Sequence, residues 1–228
     1  MEISVIIPTF NEEGNIHQLV SFILKNKTGL IKEVIVVDGR SEDQTVSMAQ
    51  QSGAKTIISP IRSRAIQMNL GAKHATGDIF YFVHADVKLI DSFATDIYKA
   101  VQSGYPSGCY CYRFDSKSWL LKTNAYCTRF TGIMYRGGDQ TLFIERKSFE
   151  ILKGFDETFV IMEDYDLIQR IRKKYRFKII PKRITVSSRK YKSNSWLRIQ
   201  IANLTIFTMY FLKQPSKKMA SLYKRMLN

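Results

Sequence analysis

The chain has 228 residues, enough for one domain with a full hydrophobic core plus an appendage. An apolar fraction of 45% and a charged fraction of 24% exclude wholesale disorder. The net charge of +15 is unevenly placed: the 62 residues after Asp166 hold 17 of the 35 Lys and Arg and no acidic residue, so the first 166 residues sum to −2. Such a block favours a polyanionic partner, whether nucleic acid, an anionic membrane surface or a phosphorylated substrate.

Ile3 to Pro8 forms a β-branched run that predicts a strand, and Ile16, Leu19, Val20, Ile23 and Leu24 then recur at helical spacing. Val34 to Val37 predicts a second strand ending on Asp38-Gly39, after which Ser41 and Gln44 have the spacing of a capping box. Thr56 to Ile58 predicts a third strand, Ser63 to His74 a helix, and Ile79 to Val83 a fourth strand. Strands and helices that alternate without hairpin signals predict an α/β fold with a parallel sheet and right-handed crossovers.

Further on, Gly108 to Phe114 and Thr141 to Ile144 predict strands, with an aromatic, helical stretch from Trp119 to Tyr135 between them. Asp164 to Lys174 reads as a helix, and Phe177 to Ile180 and Ile184 to Val186 as two short strands. One or two helices close the chain from Ser195, with Pro215 near the start of the last. Within them, Ile199 to Leu212 is an apolar run of fourteen residues flanked by Arg198, Lys213, Lys217 and Lys218. It is too short to span a bilayer and suits either core packing or an interface. The predicted organisation is one domain over residues 1–190 with a C-terminal helical appendage. Basic amphipathic helices follow over 191–228.

Three polar clusters follow predicted strands: Thr9-Phe10-Asn11-Glu12, Asp38-Gly39-Arg40-Ser41 and His84-Ala85-Asp86. In a parallel sheet they share one edge, where open α/β sheets bind nucleotides, although Asn, Asp, Gly and Ser also serve simple turns. Phe80 to Val83 is an apolar run that reaches a carboxylate at Asp86. A buried strand holds such a charge most cheaply where the sheet opens, and there it suits Mg²⁺ or Mn²⁺ against a diphosphate. Arg62, Arg64, Gln67 and Asn69 open a predicted helix, where cations oppose the helix dipole but suit a pyrophosphate. Glu163, Asp164 and Asp166 concentrate acid at another helix start; they serve as dipole partners or, facing the cleft, as a proton acceptor. Cys109, Cys111 and Cys127 are odd in number and lack zinc spacing, which predicts reduced thiols. With no signal-peptide pattern before the first strand, the expected location is cytoplasmic, with peripheral contact at the inner membrane face.

Taken in order, these pieces resemble the inverting glycosyltransferases of family 2. The resemblance implies the GT-A fold, a mostly parallel sheet flanked by helices, as a catalytic domain over 1–190 with a nucleotide-binding half (1–100) and an acceptor half (101–190). The likeness runs from Ile3 to about Lys174 through Ser4 to Glu12, Val34 to Gly39, His84-Ala85-Asp86 in place of a metal-binding D-x-D, Gly154-Phe155-Asp156-Glu157 and Glu163-Asp164. A closer likeness is to a small subgroup associated with radical SAM and selenium-domain proteins, through Arg64 to Ala72, Gly138-Asp139-Gln140 and Ser187-Ser188-Arg189.

The resemblance implies that Thr9, Glu12 and Asp38 contact the base and ribose of a UDP- or GDP-type donor, with Pro8, Asn11, Gly39 and Ala85 in the same nucleotide-binding set. Arg64, Gln67 and Asn69 would lie near the phosphates or donor sugar, and Gly138, Asp139, Gln140 and Arg189 at the acceptor or a phosphate. Asp86 would bind Mn²⁺ or Mg²⁺ with His84 as a second ligand, and Asp164 of the Glu163-Asp164 pair would act as base. The implied activity is an EC 2.4 hexosyl transfer to an acceptor that the sequence leaves open, a lipid-linked one included. Three rivals stand beside it: a non-catalytic sugar-nucleotide-binding protein, a nucleotidyltransferase, and a nucleic-acid-binding protein that uses the basic block with Tyr175, Phe177, Tyr191 and Trp196.

Overall fold

Ile3, Val5 and Ile7 face one side of the first strand, and Ser4 and Ile6 the other; every one is fully buried, so this strand lies between two layers. The computed structural model describes residues 1–26, 28–136 and 140–227. Its strands are β1 (Ile3–Thr9), β2 (Ile31–Asp38), β3 (Lys55–Ile58), β4 (Ile79–Phe82), β5 (Ser107–Phe114), β6 (Leu142–Glu145) and β7 (Phe177–Val186). The helices are α1 (Glu13–Lys25), α2 (Thr45–Gln51), α3 (Arg64–His74), α4 (Phe93–Gln102), α5 (Trp119–Cys127), α6 (Arg146–Ile151), α7 (Glu163–Lys174), α8 (Lys190–Ser193), α9 (Trp196–Phe211) and α10 (Ser216–Leu227).

The seven strands form one sheet in the order β3-β2-β1-β4-β6-β5-β7. β1 pairs in parallel with β2 and β4, β2 with β3, and β5 with β7; β6 alone runs antiparallel, between β4 and β5. The sheet is therefore mostly parallel, as the resemblance implies. From β1 the chain moves outward to β2 and β3, then returns to the other side of β1 as β4. This reversal opens a crevice at the C-terminal ends of β1 and β4. Because β6 is reversed, its N-terminal end meets that same edge, as do the C-terminal ends of β5 and β7.

One core packs α1, α4 and α5 on the face with Val5, Tyr81 and Tyr110; the other packs α3, α6 and α7 against Ile6, Phe80 and Phe82. A Cβ on Gly71 would overlap Ile6 Cγ2, so glycine lets α3 lie close on the sheet. A third, smaller cluster joins Met162 to Ile206 of α9 and Met219 of α10, tying the terminal helices to the loop before α7.

Three local expectations change. The Ser41–Gln44 capping box does not form: α2 starts at Thr45, Gln44 makes no side-chain cap, and Ser41 instead donates to Asp38. The two short strands after Phe177 are one strand, with the register shifting opposite Tyr110/Cys111. Pro181 is tolerated because β7 is an edge strand. The stretch from Trp119 to Tyr135 is not one helix; α5 ends at Cys127, and a single 3₁₀ turn follows at Ile133–Tyr135.

Candidate active site

At the crevice beside β1 and β4 lies a cavity of about 1160 Å³. Pro8, Thr9 and Glu12 reach it from the end of β1, Arg64 and Gln67 from the first turn of α3, and His84, Ala85 and Asp86 from the loop after β4. Glu163 and Asp164 enter from the first turn of α7, and Arg189 from beyond β7. Residues as distant in the chain as Pro8 and Arg189 thus line one space, because five elements meet at the same edge.

Its electrostatics are set by carboxylates facing guanidinium groups. Arg189 donates to Glu12 Oε1 at 2.8 Å and stands 4.0 Å from Asp86 Oδ2. The turn carrying Arg189 is anchored by Asp115, whose Oδ1 accepts from the Ser188 N–H at 2.7 Å. Burial pushes the Asp115 carboxyl up, but the Ser188 hydrogen bonds outweigh it and hold the group below its ordinary range. Glu163 behaves oppositely: burial drives its carboxyl above the ordinary range, and the nearby Arg64 charge only partly counters this. Glu163 and Asp164 occupy the first turn of α7, where the helix dipole favours negative charge. The preceding residue, Met162, holds a left-handed backbone (φ 74°) that is costly for a bulky side chain. Packing against α9 and α10 keeps it there.

Asp86 and His84 supply one carboxylate and one imidazole on the same loop. Among the described residues no cluster of three or more His, Cys, Asp or Glu forms a metal cage. A two-ligand set fits a divalent ion that takes its remaining positions from phosphate and water, and the imidazole suits Mn²⁺ better than Mg²⁺.

A family model for glycosyl transferase family 2 matches residues 4–159, more than half of the chain. The chain belongs to glycosyl transferase family 2.

A 110-residue stretch is 36% identical to the dolichol-phosphate mannosyltransferase of Pyrococcus furiosus, covering 46% of this chain and 31% of that protein. A 95-residue stretch is 33% identical to the glucosyl-3-phosphoglycerate synthase of Mycobacterium tuberculosis, covering 37% and 29%. The matched stretches thus span less than a third of these curated relatives. In structure, the same synthase in complex with Mn²⁺, UDP and glucosyl-3-phosphoglycerate matches with a TM-score of 0.69 at 17% identity, over 94% of this chain and 80% of that one. The Pyrobaculum calidifontis mannosyltransferase with GDP-Man and Mn²⁺ matches with a TM-score of 0.67 at 19% identity, over 90% and 62%. This shared architecture is the GT-A fold: a mostly parallel sheet flanked by helices.

Within this family 2 fold, several polar residues predicted from the sequence serve the loops instead of facing the cavity. Asp38 is fully buried; its carboxylate accepts from Thr9 Oγ1 at 3.1 Å, Ser41 N–H at 2.7 Å and Ser41 Oγ at 2.5 Å. Gly39 donates its N–H to Thr9 O at 2.8 Å, and Asn11 joins the same loops by accepting from the Glu42 N–H at 2.9 Å. Gln67 lines the cavity but also braces its floor, donating to Thr9 O and Val37 O at 2.8 Å each. Asn69 turns away, gripping the loop before α7 through Phe155 and Glu157. Gln140 is buried and accepts from Arg136, whereas Gly138 and Asp139 lie outside the described residues.

Sequence reasoning missed Arg136, a buried guanidinium that lines the cavity and donates to Thr128 O at 2.8 Å and also to Phe130 O. It also missed the wall contributed by Gln200, Asn203 and Tyr223 of the terminal helices. One arginine in a basic chain carries no signal by itself, and nothing in α9 marks which flank faces inward.

Proposed function

We propose that the chain is an inverting glycosyltransferase that moves a hexosyl group from a UDP- or GDP-type sugar to an acceptor hydroxyl. The observation that carries this is the convergence of Thr9 and Glu12, the His84–Asp86 loop and the Glu163–Asp164 pair on one cavity at the β1/β4 crevice. Residues 1–100 form the nucleotide half and 101–190 the acceptor half, with the helices of 191–228 walling the acceptor side.

In this reading Asp86 and His84 hold Mn²⁺ or Mg²⁺, which when bound offsets the negative charge of the departing diphosphate. The chain's own groups do the rest. Thr9 and Glu12 receive the base and ribose, over a floor set by Asp38, Gly39, Asn11 and Gln67. Arg64 and Arg189 face the phosphates, and Arg189 exchanges its ion pair with Glu12 for a phosphate oxygen. Asp164 takes the acceptor O–H proton as that oxygen bonds to the anomeric carbon from the face opposite the leaving group. The anomeric C–O bond to phosphate breaks in the same step, and nucleoside diphosphate departs. Glu163, pressed toward its neutral form, leaves Asp164 as the acceptor of the proton. Membership of the subgroup associated with radical SAM and selenium-domain proteins, and peripheral contact with an anionic membrane at the inner face, belong to the same proposal.

The test is the product. Incubated with UDP- and GDP-sugars, Mn²⁺ and an alcohol or water as acceptor, the chain should release nucleoside diphosphate, whereas pyrophosphate released from a nucleoside triphosphate and a sugar phosphate would instead mean a nucleotidyltransferase. Asp164→Asn should slow release by about 10²–10⁴-fold while nucleoside-diphosphate affinity stays within error. An unchanged rate in that variant contradicts the base assignment.

A further inference from the structure

α9 is apolar on two opposite faces. Ile199, Ala202 and Ile206 are buried, while Leu197, Ile201, Leu204, Phe211 and Leu212 are 50–66% exposed. Leu197, Ile201, Leu204 and Phe211 recur at four-, three- and seven-residue spacings along one stripe of the helix, and Leu212 extends it just past the helix end. The two threonines beside this stripe mask their own polarity: Thr205 and Thr208 donate their hydroxyls to the carbonyls of Ile201 and Leu204 at 2.8 and 2.9 Å. α10, packed against α9, exposes Lys217, Lys218, Lys224 and Arg225. Lys217 and Lys218 sit in its first turn, where cations oppose the helix dipole, and that turn carries no acidic residue. From Lys190 to the C-terminus there are eight Lys and Arg and no acid.

We propose that this exposed stripe of α9, with the basic face of α10, docks the protein on an anionic lipid bilayer. Apolar side chains flanked by lysines bind at the boundary of headgroups and acyl chains, and anionic lipid supplies the countercharge. A helix of 16 residues is about 24 Å long and lies in that plane without crossing it. No helix among the described residues is long and apolar enough to cross.

The placement matters for the cavity. Leu204 belongs both to the stripe and to the cavity lining, and Gln200 and Asn203 on the next flank of the helix face inward. α5, which lines the cavity through Asn124 and Cys127, exposes Trp119 and Tyr126, side chains suited to the headgroup layer. Docking would therefore seat the cavity mouth at the membrane surface; resting on the transferase reading, this makes the acceptor a lipid-borne hydroxyl that enters from the bilayer.

Vesicle co-sedimentation of the full chain tests this, with phosphatidylcholine vesicles against ones containing phosphatidylglycerol. Binding should be about tenfold or more stronger to the anionic vesicles and should fall at high salt. Leu197→Glu with Ile201→Glu, and separately Lys217→Gln with Lys218→Gln, should each weaken it by about tenfold. These four positions do not line the cavity, so UDP and GDP binding by the same samples should persist. No binding to anionic vesicles, equal binding to both kinds, or unchanged binding by both variants overturns the docking. A dimer in solution that the Leu197/Ile201 variant dissociates, without vesicle binding, overturns it too and assigns the stripe to a second copy. Nucleotide binding in those samples separates a failed docking from a failed transferase reading.

Discussion

Glu163 and Asp164 are neighbours in sequence, sit in the same helical turn and are both buried. Burial holds the Glu163 carboxyl toward its neutral form, against the pull of Arg64. In the unfolded chain the same group titrates in the ordinary carboxylate range, so the native state loses stability as pH rises from that range through the raised value. Glu163→Gln stays neutral throughout. It should therefore melt with the wild type near pH 4 and above it near pH 8, a gap that thermal unfolding across pH would show; a constant gap contradicts the burial argument. The residue scale is also where the sequence was least legible. Asp38 and Asp86 both end apolar strands, and nothing in the chain says that Ser41 and Thr9 saturate the first while the second stays on the cavity wall. Where a carboxylate's lone pairs go is decided by loops that the sequence only brackets.

At the scale of elements, β1, β2 and β4 were legible because central parallel strands are buried on both faces and read as unbroken apolar runs. α4 left a weaker trace and went unassigned, although Phe93, Ile97 and Val101 lie on its buried face. The run from Ile199 to Leu212 could not be resolved between core and interface, because α9 is apolar in both directions. Asn69 was legible as a polar residue on α3 but not as a clamp. It receives the Phe155 N–H at 2.9 Å and donates to Phe155 O and Glu157 Oε1 at 2.9 Å each, while Arg170 of α7 holds Leu152 O and Gly154 O at 2.6 and 2.8 Å. A Cβ at Gly154 would fall 2.7 Å from Asn69 Oδ1, and the φ of +66° there also favours glycine. The loop leading to the acid pair is thus gripped from α3 and α7. Asn69→Ala should cost about 1–3 kcal/mol in chemical denaturation and lower turnover more than nucleotide affinity. Unchanged stability would show that the clamp contributes nothing.

For the whole molecule, the order β3-β2-β1-β4-β6-β5-β7 explains why clusters scattered from Thr9 to Arg189 meet at one edge: every strand there presents its C-terminal end except the reversed β6, which presents its start. The strand–helix alternation made the first four strands and their shared edge legible. It did not show the reversal of β6, which depends on pairing between distant segments. The charge asymmetry takes on a spatial meaning as well. A near-neutral stretch of 166 residues is joined to a cationic C-terminal part whose helices both wall the cavity and present lysines to solvent. Calorimetric titration of UDP and GDP with and without Mn²⁺ tests the proposed occupancy of the β1/β4 crevice by a nucleoside diphosphate and a divalent ion at Asp86. One of the two nucleotides should bind, Mn²⁺ should tighten binding by about tenfold or more, and Asp86→Ala should remove this gain. Binding of neither nucleotide, or an equal Mn²⁺ effect in Asp86→Ala, would contradict it.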